Sequence, residues 1–109
     1  NEVVTSLDFF NAATIGGAKA FGRDDIGRLE VGAKADVVLM DFDNLQIGPV
    51  HDPIRSLVHL ASPDLIETVI CDGAVLMEDG VLTGYDERAV VEGGKRSFRR
   101  VVERFPEMH

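Results

Sequence analysis

A segment near the start of the chain is apolar on almost every side, and it limits most strongly how the chain can fold. Residues 7–21 are predicted to form a helix, because Thr5 and Asp8 have the spacing of a capping box. Gly22 is placed to end this helix in the left-handed conformation. At 3.6 residues per turn the large apolar side chains point in several directions. They are Leu7, Phe9, Phe10, Ile15 and Phe21.

Exposing this helix to water is expensive. Each large apolar side chain left in water forfeits about 1.5–3 kcal/mol, so five of them cost on the order of 10 kcal/mol, which rivals the total stability of a small domain. We therefore expect the helix to be buried on several sides. Gly16 and Gly17 lower its intrinsic stability but let another backbone approach closely.

Two short strand patterns follow, separated by a turn at Gly32. Residues 28–31 alternate polar and apolar side chains, as in a strand with one wet face. Residues 35–42 contain the unbroken apolar run VVLM between Asp36 and Asp41, which is typical of a strand covered on both faces. A buried helix segment is the competing interpretation, but the run is too short for one.

The middle of the chain predicts a short helix and a meander that adds strands to this pair. In order, the expected elements are a loop at 43–49, a helix starting at Asp52-Pro53 and ending at Ser62-Pro63, a strand at 66–71, a tight Asp72-Gly73 hairpin turn, a strand at 74–77, a turn at 78–80 and a strand at 81–82.

A second long helix is predicted over residues 86–105, with Asp86 as its cap and Pro106 at its end. We expect Gly93-Gly94 to kink or split it. Its apolar positions form one broad stripe. They are Val90, Val91, Gly94, Phe98, Val101, Val102 and Phe105.

Composition excludes several classes of function. The 109 residues and 45% apolar content fit one folded domain, and the net charge of −8 argues against nucleic acid as a partner. No apolar run approaches the length of a membrane span, so no membrane partner is expected. The single Cys71 cannot form an internal disulfide, which fits a reducing compartment such as the cytoplasm. No signal or transit segment opens the chain, and Asn1 in place of methionine suggests a processed or truncated start.

Three motifs in order, within a span of residues 3–83, carry a resemblance to a known family. They are Asn11-Ala12-Ala13-Thr14-x-x-Gly17-Ala18-Lys19-Ala20, Gly27-x-Leu29-x-x-Gly32-x-Lys34-Ala35-Asp36 and Ile66-x-x-Val69-Ile70-x-x-Gly73. This pattern resembles the C-terminal portion of metal-dependent amidohydrolases. The branch it is most similar to contains chlorohydrolases and aminohydrolases of triazines, nucleobases and related heterocycles.

The resemblance implies an α+β fold in three parts of a single fragment. Residues 1–26 would be the last helix of a catalytic barrel, residues 27–84 part of a composite β-sandwich, and residues 85–109 a C-terminal helix. It also implies a parent enzyme that uses a divalent metal, zinc or iron, on a small heterocycle. Cytoplasmic, often dimeric enzymes are usual in this branch.

The family's catalytic groups are not found here. The resemblance implies a His-x-His pair, two further histidines or a modified lysine, an aspartate and a proton-moving acid, whereas this chain holds only His51, His59 and His109. We therefore assign no catalytic, cofactor-binding or metal-binding residue and expect the chain alone to be inactive.

Other candidate sites have simpler interpretations. His51 and His59, with Asp52 or Asp64, have the ligand types of zinc but no recognised spacing, so loop or surface histidines are the favoured interpretation. Cys71 has no cationic sequence neighbour to stabilise a thiolate and is interpreted as a small buried hydrophobe in a strand.

The remaining polar motifs are also interpreted structurally. Lys34 and Asp36 resemble a catalytic pair but are predicted to be turn residues, with Asp36 accepting hydrogen bonds from nearby backbone amides. Gly16-Gly17 lies inside a helix and is no phosphate loop. The arginines at 96–104 are predicted to form a solvated helix face rather than an anion site.

Two hypotheses follow. In the first, the chain completes an amidohydrolase, and its partner is the missing catalytic barrel or a second copy of the chain. In the second, it is a stand-alone structural or interaction module that uses the same sandwich fold, since a fold alone does not fix function. Either hypothesis predicts that the isolated chain self-associates.

Overall fold

A computed structural model of the chain describes residues 3–105. Its opening helix has three consecutive parts, namely α1 (Ser6–Asn11), a π-helical turn (Ala12–Gly16) and α2 (Gly17–Ala20). The predicted capping box is confirmed, because the Asp8 N–H donates to the Thr5 hydroxyl at 3.3 Å and the Thr5 N–H donates to the Asp8 carboxylate at 2.7 Å. Gly22 ends the helix with a φ of +67°, as predicted.

The segment at residues 28–31, predicted to be a strand, is not one. It belongs to an irregular loop in which Leu29 and Val31 are 78% and 103% exposed. A strand needs a neighbour for its backbone hydrogen bonds, and this segment pairs with no strand of the described sheet. Its turn is closed instead by the Ala33 N–H, which donates to the Glu30 carbonyl at 3.0 Å.

Four strands form one antiparallel meander in the order β1-β2-β3-β4. They are β1 (Val37–Met40), β2 (Ile66–Cys71), β3 (Ala74–Glu78) and β4 (Val81–Leu82). The strands predicted in this region are confirmed. The tight turns are confirmed as well, with positive φ at Asp72-Gly73 (48° and 81°) and at Asp79-Gly80 (50° and 74°), as two-residue hairpin turns require.

The prediction that β1 is covered on both faces is wrong for this chain. Val38 and Leu39 are 54% and 50% exposed, and consecutive strand residues point to opposite faces. The strands of the described part pack chiefly against one another, so no second layer covers them.

The short helix α3 (Pro53–Leu60) is confirmed, with Asp52 accepting from the Arg55 N–H at 3.0 Å. It packs against α1. A 3₁₀ turn (Pro63–Leu65) then leads into β2.

The last helix, α4 (Glu87–Arg104), is capped by Asp86, which accepts from the Ala89 N–H at 3.0 Å. The expected split at Gly93-Gly94 is wrong, because the helix runs unbroken. A Cβ at Gly94 would meet nothing within 4 Å, so no packed neighbour interrupts the helix there. Pro106, predicted to end this helix, and His109 lie outside the described residues.

The chain has little interior of its own. Among residues 3–105 the buried apolar residues are Ala18 and Ile47. The radius of gyration is 18.7 Å, against about 13 Å expected for a compact domain of this length. None of the described helices combines the length and apolar character needed to cross a bilayer.

Candidate functional site

The opening helix presents an apolar surface that the rest of the chain does not cover. Leu7, Phe9 and Phe21 are 50%, 57% and 82% exposed, while Phe10 is half-buried and Ala18 is buried. The buried side of the helix contacts α3 and the loop at Gly27. Its other sides are open, so the burial expected from the sequence is not supplied within the described residues.

An apolar groove lies between the opening helix and the edge strand β1. Its volume is about 750 Å³, and its walls include Phe10 and Ile15 from the helix, Val38 and Met40 from β1, and Leu57 from α3. A groove with this lining can receive apolar side chains from another polypeptide segment. We call the groove and the exposed side of the opening helix the apolar docking surface.

Gly27 holds the following loop against the opening helix. A Cβ at Gly27 would lie 2.6 Å from the carbonyl oxygen of Thr14 and 3.0 Å from the Cβ of Ala18, and its φ is +77°. The close backbone approach expected at Gly16-Gly17 is therefore found at Thr14 and Ala18 instead. Gly27 permits it because it has no Cβ. At Gly16 and Gly17 themselves, a Cβ would meet only atoms of their own helix.

Lys34, Asp36 and Asp72 join the segment before β1 to the β2–β3 hairpin. The Lys34 ammonium donates to both carboxylate oxygens of Asp72 at 2.8 Å, and the Asp72 N–H donates to Asp36 Oδ1 at 2.8 Å. The Gly73 N–H donates to the Ala35 carbonyl at 3.0 Å. The Asp72 carboxylate, as hydrogen-bond partner and nearby negative charge, raises the pKa of Lys34. These residues lock the hairpin to the edge strand. Asp36 accepts a backbone N–H, as predicted, but the prediction that Lys34 and Asp36 are turn residues with a nearby amide partner is wrong. Both residues lie between the turn at 31–32 and β1, and the amide belongs to Asp72, 36 residues away.

A second ion pair fixes the loop that leads to this lock. Arg23 donates two hydrogen bonds to Asp25, at 2.8 and 2.6 Å, and this contact is the main cause that lowers the pKa of Asp25 and raises that of Arg23. The Asp25 carbonyl accepts from the Lys34 N–H at 2.7 Å. Both ion pairs lie on the surface, so they position the loop more than they stabilise the fold.

The histidine and aspartate candidates are only partly brought together. His51, Asp52 and His59 line one cleft of about 660 Å³, whereas Asp64 is not among its walls. His59 Nε2 lies 3.1 Å from the Ser6 hydroxyl, and Asp52 is used as the cap of α3. Within residues 3–105 no group of three His, Cys, Asp or Glu side chains is arranged to hold a metal ion.

Cys71 and the α4 arginines can also be placed. Cys71 lies in a strand, as predicted, but the expected burial is wrong because the thiol is exposed. It is the last residue of β2, beside the hairpin turn, where no neighbouring layer covers it. The side chains of the arginines at 96–104 are solvated, as predicted.

Besides the two ion pairs and the contact at Gly27, two further features were not predicted from the sequence. The first is the π-helical turn, within which the Thr14 hydroxyl donates to the Phe10 carbonyl at 2.8 Å. Its only sequence signal is the Gly16-Gly17 pair. The second is the contact between Ser6 and His59, which joins residues 53 positions apart and has no local signal.

Comparison with known proteins places these features in a family context. The sequence profile of the amidohydrolase family matches residues 1–76. A 5-methylthioadenosine/S-adenosylhomocysteine deaminase of Halobacterium salinarum is 48% identical over 73% of the chain and 18% of that protein. The corresponding deaminase of Pelotomaculum thermopropionicum is 40% identical over 88% of the chain and 22% of that protein. The chain thus spans about a fifth of the length of these curated relatives.

Solved structures agree with this similarity. A zinc-bound adenosine deaminase from Xanthomonas campestris superposes with a TM-score of 0.86 and 31% identity, covering 89% of the chain and 22% of that protein. A zinc-bound atrazine chlorohydrolase from Arthrobacter aurescens TC1 superposes with a TM-score of 0.79 and 29% identity, covering 84% of the chain and 20% of that protein.

Proposed function

The chain belongs to the amidohydrolase family, and from this premise we propose that it is the C-terminal part of a hydrolase acting on a C–N or C–Cl bond of a nitrogen heterocycle. The observation that carries this proposal is the similarity to deaminases and a chlorohydrolase, of which the chain spans about a fifth of the length. The apolar docking surface supports only the part of the proposal that places a covering layer against the opening helix. Phe9 and Phe21 on this helix are more than half exposed, so a layer that covered them would stabilise the fold.

The three parts of the chain receive separate roles in this proposal. Residues 1–26 form the last helix of the catalytic barrel and pack against the barrel wall. Residues 27–84 supply one layer of a composite β-sandwich, and residues 85–109 add a C-terminal helix. The sheet supports the second role, because Val38 and Leu39 on opposite faces are both half exposed, so each face needs a covering layer.

The chemistry is assigned to the parent protein. A divalent metal, zinc or iron, would there lower the pKa of a bound water to about 7 and so provide a nucleophile at neutral pH. The described residues of this chain do not form a ligand set for such a metal. We therefore assign no catalytic, cofactor-binding or metal-binding residue here, and no step of the reaction to these residues.

For the parent's substrate, we propose an adenine nucleoside that loses its exocyclic amino group. Relatives named as deaminases of adenosine derivatives are 33–48% identical to this chain, whereas the chlorohydrolase is 29% identical. A chlorinated or aminated triazine is the second candidate. We also propose a cytoplasmic location, which fits a chain whose single cysteine, Cys71, forms no internal disulfide.

The test compares the chain alone with the chain joined to the sequence encoded upstream of Asn1. We expect no release of ammonia from 5′-methylthioadenosine by the chain alone with zinc or iron, and turnover by the joined protein. In the joined protein, Phe9→Asp should reduce the folded yield because it buries a charge against the barrel, whereas Lys19→Asp, at an exposed polar position of the same helix, should not. Metal-dependent turnover by the chain alone would contradict the proposal.

The alternative remains a stand-alone interaction module, which the same exposed surface favours. A stop codon or an unrelated domain immediately upstream of Asn1 would support this alternative. A barrel sequence with a His-x-His pair would support the amidohydrolase.

A further inference from the structure

The outer edge of β1 is a surface of the sheet that the proposed function leaves unused. A second sandwich layer would cover the faces of the sheet, whereas an edge presents backbone N–H and C=O groups that another strand can pair. Because the described strands have the order β1-β2-β3-β4, the two edges of this sheet are β1 and β4.

Hydrogen bonds at both ends of β1 show which backbone groups lie on its outer edge. The Ala35 carbonyl accepts from a backbone N–H of the β2–β3 turn at 3.0 Å, and the Asp41 N–H donates to the carbonyl just before β2 at 2.8 Å. Both residues thus direct their backbone groups toward β2, and this direction alternates along an antiparallel strand. Val38 and Met40 therefore direct their N–H and C=O groups away from β2, to the side where no described strand lies.

The apolar groove runs along this same edge. Val37 and Val38 both line it, although consecutive side chains of a strand point to opposite faces of the sheet. A groove that both side chains reach lies at the edge of the sheet rather than over one face. A strand added to β1, at the usual spacing of about 4.8 Å, would therefore lie in the groove and place alternate side chains against Phe10 and Ile15 of the opening helix.

The two edges differ in how they are protected against pairing. Strand β4 has two residues, and a very short edge strand limits pairing with other chains. The Thr83 N–H donates to the Leu76 carbonyl of β3 at 2.9 Å, so by the same alternation Leu82 directs its N–H outward. Strand β1 has four apolar residues, VVLM, with no proline or charge among them, and Val38 is more than half exposed. An unprotected apolar edge of this kind is a template for another strand.

We propose that a strand encoded upstream of Asn1 pairs with the outer edge of β1 and fills the apolar groove, which makes β1 a central strand of the parent's sheet. This inference rests on the proposed function, in which the chain is about a fifth of the parent and the remainder precedes it. The groove requires an apolar side chain at every second position of the added strand.

A second copy of the chain fits this edge less well than an upstream strand. Pairing two β1 strands would bring Asp36 and Asp41, which flank each strand, beside the same residues of the other copy. Like charges on paired strands are destabilising, and each copy carries a net charge of −8. A two-fold antiparallel pair would also bring two opening helices to one groove.

The test is amide hydrogen exchange in the joined protein, followed by NMR with labelled valine, methionine and leucine. The Val38 and Met40 amides should exchange within about tenfold of the Val37 amide, which faces β2, because all three would then be bonded within a sheet. The Leu82 amide, on the opposite edge, should exchange much faster. Fast exchange at Val38 and Met40, or equal protection of Leu82, would overturn the pairing.

Proline variants test the pairing through folding. Val38→Pro removes an N–H that faces away from β2, so the isolated chain should keep its circular dichroism, as edge strands tolerate proline. In the joined protein the same change removes a hydrogen bond to the added strand and should reduce the soluble yield about tenfold. The matched control is Leu82→Pro, which removes the outward N–H of β4 and should leave this yield unchanged. Equal yields for the two variants would contradict the proposal.

Two further readouts separate the alternatives. Turnover of 5′-methylthioadenosine by the joined protein, with unprotected Val38 and Met40 amides, would overturn the pairing and leave the proposed function standing. Protection without turnover would support the pairing and count against the proposed function. Val38→Pro that abolishes self-association of the isolated chain but leaves the joined protein intact would assign the edge to a second copy and overturn the proposal.

Discussion

Replacing Gly27 by alanine should destabilise the chain more than any other single glycine-to-alanine change, because two independent costs coincide there. The φ of +77° is unfavourable for a residue with a side chain, at about 1–2 kcal/mol. The added Cβ would also lie 2.6 Å from the carbonyl oxygen of Thr14, and this backbone atom cannot rotate away as a flexible side chain would. Forcing a methyl group into such a contact typically costs about 1–3 kcal/mol.

The unfolded state offsets part of this cost. Alanine has less backbone freedom than glycine when unfolded, which favours folding by about 0.4–1 kcal/mol. The net expectation from these three effects is a loss of about 1–4.6 kcal/mol, with about 3 kcal/mol at the centre of the range. For a chain with so small an interior, a loss of this size removes much of the stability available.

The matched control is Gly32→Ala. Gly32 also has a positive φ, +93°, but a Cβ there would meet nothing within 4 Å. It therefore isolates the backbone strain and should cost about 1 kcal/mol or less after the unfolded-state gain. Urea unfolding followed by circular dichroism gives both values. Equal losses at Gly27 and Gly32 would show that the contact with Thr14 does not hold the loop to the opening helix.

Three further predictions concern the lock, the helix cap and the apolar surface. Replacing Lys34 by methionine or Asp72 by asparagine should lower the urea midpoint slightly at pH 7, because either change removes the ion pair. Pairing raises the pKa of Lys34, so the stabilisation is complete below the ordinary lysine pKa of 10.5 and is lost as the pH rises through the raised value. A stability profile of the wild-type chain up to pH 12 checks this loss. Hydrogen bonds from the Thr5 hydroxyl and, second, from the Thr5 backbone N–H lower the pKa of Asp8. The stabilisation by the capping box is therefore present above pH 3.8 and is lost as the pH falls through the lowered pKa. Thr5→Ala should cost about 0.5–2 kcal/mol at pH 7 and should make the stability depend less on pH in the acid range. Phe21→Ser, at a side chain 82% exposed, should leave the urea midpoint of the isolated chain unchanged and reduce its light scattering at high concentration; a lower midpoint would mean that Phe21 packs within the chain.

Local signals predicted most of the elements. Thr5 and Asp8, Asp52-Pro53 and Asp72-Gly73 each specify a cap or turn through a few neighbouring atoms, and each was found where expected. Such features depend on hydrogen bonds across three or four residues, which the sequence displays directly.

Features that depend on distant partners were predicted less well. Residues 28–31 have the alternation of a strand, but alternation alone does not supply a neighbouring strand. The role of Asp36 depends on the Asp72 amide, 36 residues away, and the contact between Ser6 and His59 spans 53 residues. No local pattern determines which distant groups meet.

Burial was the least predictable property, and the cause is informative. The apolar runs at residues 7–21 and 37–40 both indicate buried elements, yet Phe9 and Val38 are more than half exposed in the structure. An apolar pattern predicts that residues are buried, but it does not tell whether the layer that buries them belongs to the same 109 residues. The radius of gyration, 18.7 Å, fits the proposed function, in which these elements pack on layers outside the 109 residues. The mismatch between pattern and exposure therefore identifies the surfaces at which other polypeptide is expected. One lies along the opening helix and the two faces of the sheet, where the proposed barrel and second sandwich layer belong. A separate one lies along α4, where Val90 and Phe98 are also more than half exposed.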